Sequence, residues 1–283
     1  IRCLVNPTLG YEYLKEFKKA EHPKKITVIG AGPAGLEAAR TAALAGHKVT
    51  LYEKNDHLGG QFATAAIPPS KGDISAFVSW IGQKIIKLGV DIKLNTEYTS
   101  ATSDREKPDL VIIATGSIPL KPPISGIDGE NVVTAQDVLL GKVSTKDKVV
   151  VAGGGQVGCE TALYLASLGK QVTIVEMLPI IAGDEEFTRR IFLMKALKEN
   201  NVEYFTGAKV KGINIDCVQC ETGQQKTIEI SAATVVLALG MKSNNALAQE
   251  LEGKVPIKVV GDAVETRDAL EAVREGFLAA VQA

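Results

Sequence analysis

Two short stretches carry residues whose types and spacing can do chemistry, and they are one pattern written twice. ITVIGAGPAGLEAA spans residues 26 to 39, and VVVAGGGQVGCE spans residues 149 to 160. Each reads as an apolar strand, a G-x-G-x-x-G turn and the start of a helix. Gly30, Gly32 and Gly35 make the first fingerprint, and Gly153, Gly155 and Gly158 make the second, 123 positions later. The chemistry is dinucleotide binding. The glycines allow a tight turn and a close backbone approach to a pyrophosphate, and the helix aims its positive N-terminal end at the phosphates. A carboxylate about 20 residues on takes the ribose hydroxyls. Glu53 and Glu176 stand there, in HKVTLYEK and KQVTIVEM. Two nucleotide sites in one chain imply that something passes between two nucleotides.

The elements that must position these residues repeat at the same offset, which also carries Glu37 to Glu160 and Gly46 to Gly169. Gly46 and Gly169 sit where a helix stops in a left-handed conformation that glycine adopts cheaply. Each unit then runs through a helix and a strand, FVSWIGQKIIKLGVDIKLN in the first and RIFLMKALKENNVEYFTG in the second. Each closes on an apolar strand ending in glycine, DLVIIATG (109–116) and ATVVLALG (233–240). The first unit carries an extra loop, GGQFATAAIPPSKGD. The second carries KVKGINIDCVQCETGQQKTIEIS, read as a β-hairpin turning at ETGQ.

Strands alternating with helices predict an α/β fold of two Rossmann-like dinucleotide-binding domains with parallel central sheets. The tail KVVGDAVETRDALEAVREGFLAA is too short for a domain of its own and is expected to complete the first. The second domain is then inserted into the first. The expected division is a linker at 1–24, a discontinuous first domain at 25–121 and 245–283, and a second domain at 122–244.

Composition narrows the functional classes. Lys plus Arg is 32 against 33 for Asp plus Glu, so no electrostatic case exists for nucleic acid or an anionic membrane. No apolar run approaches the roughly 18 residues of a membrane span, and IRCLVNPTLGYEYLKEFKKA holds no apolar signal core. Four cysteines make no disulfide framework, which fits a reducing cytoplasm. Cys217 and Cys220 lie three apart on an expected strand and so point to opposite faces, which suits neither a redox pair nor zinc. Cys159 reads as a small core residue. His22, His47 and His57 have no metal spacing. Glu176 repels the 2′-phosphate of NADP, and MLPII after it offers no cation, so NAD(H) is expected over NADP(H).

GAGPAG, an acid, LGGQ, ATG, GGGQVG, an acid, ALG and GDA follow in that order. The set resembles the two-dinucleotide-binding-domain flavoproteins, which include thioredoxin reductase, glutathione reductase and dihydrolipoamide dehydrogenase. The resemblance runs from about residue 25 to the end. It implies FAD in the first domain, held by Gly30, Gly32, Gly35, Glu53, Gly59, Gly60, Gln61, Thr115, Gly116, Gly261 and Asp262. It implies NAD in the second, held by Gly153, Gly155, Gly158, Glu176 and Gly240. The family's redox dithiol is absent from both of its usual places, because LGGQFATAAIPPSKG and TAQDVLLGKVSTKD contain no cysteine.

The opening RCLVNPTLGYE resembles the segment that joins the barrel to the FAD domain in the 2,4-dienoyl-CoA reductase, 2-enoate reductase and trimethylamine dehydrogenase family. That resemblance implies a fragment of a longer polypeptide whose N-terminal FMN-binding barrel and three of four iron–sulfur ligands lie outside it. Cys3 would be the fourth ligand of the parent's four-iron–four-sulfur cluster. NADH would reduce FAD, FAD the cluster, the cluster FMN, and FMN an unsaturated substrate, with only the first step open to this chain alone. The alternative within the same family is an ADP-holding structural module without redox activity. Its mark would be lost glycines or acids, and both fingerprints are intact.

Overall fold

The structure, a computed structural model, describes residues 3–10, 19–223 and 226–283. The described chain divides into two compact units. One runs to Ala66 and takes in Lys71–Ile118 and Lys242–Ala283; the other comprises Ile67–Ser70 and Pro119–Met241. The second unit is an insertion in the sequence of the first.

The first unit is built from β1 (Lys25–Ile29), α1 (Pro33–Leu44), β2 (Lys48–Tyr52), α2 (Gln61–Ala65), α3 (Gly72–Lys87), β3 (Asp91–Lys93), α4 (Ser100–Glu106), β4 (Leu110–Ile113) and the short β5 (Ser117–Pro119). The second contributes β6 (Val132–Thr134), α5 (Ala135–Leu139), β7 (Lys148–Ala152), α6 (Gln156–Ser167), β8 (Gln171–Val175), α7 (Phe187–Glu199), β9 (Glu203–Phe205), β10 (Ala208–Ile213), β11 (Cys217–Thr222), β12 (Thr227–Ser231) and β13 (Thr234–Leu237). The chain then returns through β14 (Met241–Ser243), which pairs with β5, to α8 (Ala246–Leu251), β15 (Ile257–Val259) and α9 (Ala269–Val281).

The first unit's sheet is parallel, in the order β15-β4-β1-β2-β3. Side chains on a strand alternate between faces. Ile26 and Val28 therefore join one core with Leu36 of α1, Ile81 of α3 and Val273 of α9, while Ile29 joins Val111, Ile113 and Leu251 on the other face. The order reverses direction between β1 and β4, so the crevice beyond the carboxyl ends of these strands is where such sheets hold ligands. The returning tail supplies the edge strand β15 and the helix α9.

The second unit repeats this sheet as β6-β13-β7-β8-β9, again parallel. Val149 and Val151 face α6 and α7, with Cys159 and Leu165. Val150 and Ala152 face a layer formed by Val210, Val218, Cys220 and Ile230. That layer contains the expected hairpin, as β11 and β12, and extends it by one strand, β10. It is a three-stranded antiparallel sheet, β10-β11-β12. A turn closed by the Asn214 N–H to the Cys217 carbonyl (2.8 Å) splits off β10, and the register slips between Val210 and Gly212. The ETGQ turn also starts later than expected: Glu221 and Thr222 still belong to β11, and residue 224 lies outside the described residues. The extra loop of the first unit holds one helical turn, α2.

Candidate functional site

In the first unit the fingerprint leaves the sheet between β1 and α1. Gly30 has φ +98°, and its N–H donates to the Tyr52 carbonyl at 2.8 Å. A Cβ here would stand 2.3 Å from the Ala114 carbonyl oxygen, and one on Gly35 would stand 1.9 Å from that of Gly30. Both contacts demand glycine for packing alone. Gly32 differs, because a Cβ there would meet nothing within 4 Å, which leaves room above the helix N-terminus for a phosphate. Pro33 opens α1, where its missing N–H costs nothing.

Glu53 is buried. Its Oε2 accepts the Ala31 N–H at 2.8 Å, and its Oε1 accepts the N–H (2.9 Å) and Nδ2 (2.7 Å) of Asn55. A carboxylate has about four acceptor positions, so it is locked in place and still able to take a hydroxyl. Gly59 and Gly60 fold back onto the fingerprint. The Gly59 N–H donates to the Ala31 carbonyl at 2.8 Å, and a Cβ on Gly60 would lie 3.1 Å from the Gly32 Cα.

Three remote segments meet in a chain of side-chain bonds. Gln61 Nε2 donates to Ser117 Oγ (2.8 Å) and to the Ser117 carbonyl (3.1 Å), and Ser117 Oγ donates to Asp262 Oδ2 at 3.0 Å. The other Asp262 oxygen accepts the Arg267 N–H at 3.2 Å. Glu275 on α9 accepts the Gly261 N–H at 2.7 Å and pairs with the Arg267 guanidinium. Thr115 Oγ1 donates to the Asn244 carbonyl at 2.5 Å, and the Asn244 N–H donates to that of Gly116 at 2.9 Å. No chemistry-bearing motif in the sequence contains Ser117, Arg267 or Glu275. Ser117 could have been flagged as the hydroxyl directly after ATG; Arg267 and Glu275 show no spacing signal.

The second unit follows the same plan. Gly153 has φ +104°, its N–H donates to the Val175 carbonyl at 2.8 Å, and a Cβ would stand 2.2 Å from the Ala238 carbonyl oxygen. A Cβ on Gly158 would lie 2.0 Å from the Gly153 carbonyl oxygen. Glu176 is buried and accepts the N–H groups of Gly154 (2.6 Å) and Leu178 (2.7 Å). Gly240 has φ +99°, and its carbonyl accepts the Leu120 N–H at 3.0 Å. Asp184, which no sequence motif marks, accepts the Gln156 N–H with both oxygens at 2.8 and 3.1 Å, at the first residue of α6 beside Gly155.

The four cysteines are free thiols in different surroundings. Cys159 is fully buried, and burial, reinforced by the carboxylates of Asp184, Glu176 and Glu160, pushes its thiol up to about 12. Burial raises Cys220 to about 11, while Cys217 sits half-buried on the opposite face of β11. Cys3 is free and half-buried. Among the described residues no group of three His, Cys, Asp or Glu could hold a metal, and no helix is long and apolar enough to cross a membrane.

The donors and acceptors fit two dinucleotides: glycine turns at helix N-termini for pyrophosphate, and fixed carboxylates at strand ends for ribose. Comparison with known proteins agrees. Residues 24–271 match the profile of the pyridine nucleotide-disulphide oxidoreductase family. The whole chain is 43% identical to an NADH oxidase of Thermoanaerobacter brockii, covering 44% of that protein. It is 39% identical, over 99% of its length, to a bilirubin reductase of Mediterraneibacter gnavus, again covering 44% of it. A solved 2-naphthoyl-CoA reductase, in complex with 2-naphthoyl-CoA, superimposes on the whole chain with a TM-score of 0.96 at 36% identity, the match covering 43% of that chain. The chain thus spans less than half the length of these relatives.

Proposed function

The chain belongs to the pyridine nucleotide-disulphide oxidoreductase family as a FAD- and NAD(H)-binding oxidoreductase module, and on that premise we propose that it is the electron-input part of a longer flavoenzyme. The first unit holds FAD through Gly30, Gly32, Gly35, Glu53, Gly59, Gly60, Gln61, Thr115, Gly116, Gly261 and Asp262. The second holds NADH through Gly153, Gly155, Gly158, Glu176 and Gly240. FAD, when bound, supplies the two-electron acceptor for the nicotinamide hydride. The chain's own residues grip pyrophosphates with backbone amides, fix ribose hydroxyls with Glu53 and Glu176, and aim Asp262 through Ser117. Hydride transfer needs alignment more than an acid or base.

The observation that supports this reading is the doubled glycine turn, with a buried carboxylate bonded to the turn amide in each unit. Intact fingerprints speak against the ADP-holding module. The absence of cysteine between residues 4 and 158 supports an electron exit other than a dithiol. We assign that exit to an iron–sulfur cluster for which Cys3 is one ligand, leading to an FMN barrel of the same cytoplasmic polypeptide. An unsaturated organic acceptor for the parent is supported by relatives named for bilirubin and cinnamate reduction and by the naphthoyl-CoA complex.

The test is an anaerobic visible spectrum of the chain with FAD, before and after NADH, with NADPH in parallel. A bound flavin band that bleaches faster with NADH is expected. Bound flavin indifferent to both cofactors would sink the proposal in favour of the structural module.

A further inference from the structure

We propose that Asp184 sets the affinity of the second unit for its dinucleotide and keeps that ligand exchangeable. The inference rests on the reading of this unit as the NAD(H) site, and what carries it is the internal comparison of the two units.

The units share their turn-to-carboxylate and loop-return bonds at the offset of 123 positions. The amide after the first fingerprint glycine donates to the strand-end carboxylate in both, Ala31 to Glu53 and Gly154 to Glu176. The loop that follows returns to the same carbonyl in both, Gly59 N–H to Ala31 (2.8 Å) and Ala182 N–H to Gly154 (2.6 Å). Both of these loop residues have positive φ, +106° for Gly59 and +49° for Ala182. In this register Gln61 corresponds to Asp184 and Pro33 to Gln156.

The chemistry diverges at those two positions. In the first unit the residue is a neutral amide that turns to Ser117, and the helix opens on a proline with no N–H. In the second unit the residue is a carboxylate, and it lies on the first amide of a 12-residue helix. The space above Gly32 is clear to 4 Å, whereas a Cβ on Gly155 would stand 3.1 Å from Asp184 Oδ2. The loop bearing Asp184 is anchored, because Ile181 and Ala182 are buried and Arg190 Nε donates to the Ile181 carbonyl at 3.1 Å. Glu176 and Glu160 add negative charge around the same turn, and Arg189 stands near Glu160 and Glu185.

A carboxylate on a helix N-terminus offsets the partial positive charge that would attract a phosphate. A pyrophosphate arriving at α6 must share or displace Asp184 and bears its repulsion. One arriving at α1 meets no such competitor. The same fold can therefore retain one nucleotide through turnover and release the other in every cycle.

The test uses Asp184→Asn, which keeps an oxygen for the Gln156 N–H, and Asp184→Gln, which copies the first unit. Calorimetry on the whole chain would measure NAD⁺, ADP-ribose and adenosine, with FAD binding by the first unit as the control for folding. Both pyrophosphate ligands should bind roughly three- to tenfold tighter to the variants, with adenosine and FAD unchanged. Affinities equal to or weaker than wild type in either well-folded variant overturn the role of Asp184. No binding of NAD⁺ or ADP-ribose to wild type or variants overturns the reading of the second unit as a nucleotide site, and this inference with it.

Discussion

The hydroxyl of Ser117 donates to the carboxylate of Asp262 at 3.0 Å across 145 positions of chain. Ser117 leaves the first unit just before the insertion, and Asp262 belongs to the tail that returns after it. The bond therefore ties together the two chain segments that make up the discontinuous first unit. Gln61 enters the same network from the loop folded on the fingerprint.

Removing that hydroxyl tests whether the network positions FAD. Ser117→Ala takes away the donor to Asp262 and an acceptor for Gln61. A hydrogen bond to a charged group contributes about 1.5 kcal/mol or more, so FAD affinity should fall roughly tenfold. Ser117→Thr, which keeps the hydroxyl, should recover most of it. Fluorescence titration with FAD measures both, and an unchanged affinity in the alanine variant would place the network outside the flavin site.

The return of α9 onto α1 depends on one glycine. A Cβ on Gly276 would lie 2.1 Å from the Ala34 carbonyl oxygen. Gly276→Ala must push the helices apart at a cost of about 1–3 kcal/mol. Calorimetry should show a lower melting temperature for the first unit, with NAD⁺ binding by the second unit retained. A melting profile identical to wild type would contradict this packing.

Glu176 is predicted to discriminate between nicotinamide cofactors. Its charge opposes a 2′-phosphate, and its oxygens hold the Gly154 and Leu178 amides. Glu176→Gln removes the charge while keeping one acceptor. The ratio of NADPH to NADH affinity should rise about fivefold or more, and overall stability should drop by about 1 kcal/mol. Parallel titrations of the two cofactors check it; an unaltered ratio would remove Glu176 from specificity.

Thiol chemistry should separate the four cysteines. Burial holds Cys159 near 12 and Cys220 near 11, so almost no thiolate is present at pH 8 in the folded chain. Both groups become reactive only as the pH rises toward those values or the chain unfolds. Timed alkylation with mass spectrometry at pH 8 should label the half-buried Cys3 and Cys217 first. Denaturant should bring all four to similar rates. Rapid native labelling of Cys159 would mean that its core is open.

Much of this protein is legible in its sequence because the fingerprint is local. Gly30 and Gly35, or Gly153 and Gly158, are required by backbone contacts within one strand–turn–helix and its neighbouring strand, and Glu53 and Glu176 follow within one further strand. Spacing along the chain therefore stands in for position in space, and the repeat at 123 positions makes both glycine turns and both sheets readable. The antiparallel layer was half-legible: its apolar alternation shows strands, but the break at Asn214 and the slip at Gly212 carry no such signal. Ser117, Arg267 and Glu275 acquire meaning only when the tail returns to the first sheet. Asp184 does so only when its loop lays a carboxylate on the α6 amide. Those relationships depend on chain closure and side-chain direction. Tertiary packing decides both, and the one-dimensional pattern does not contain them.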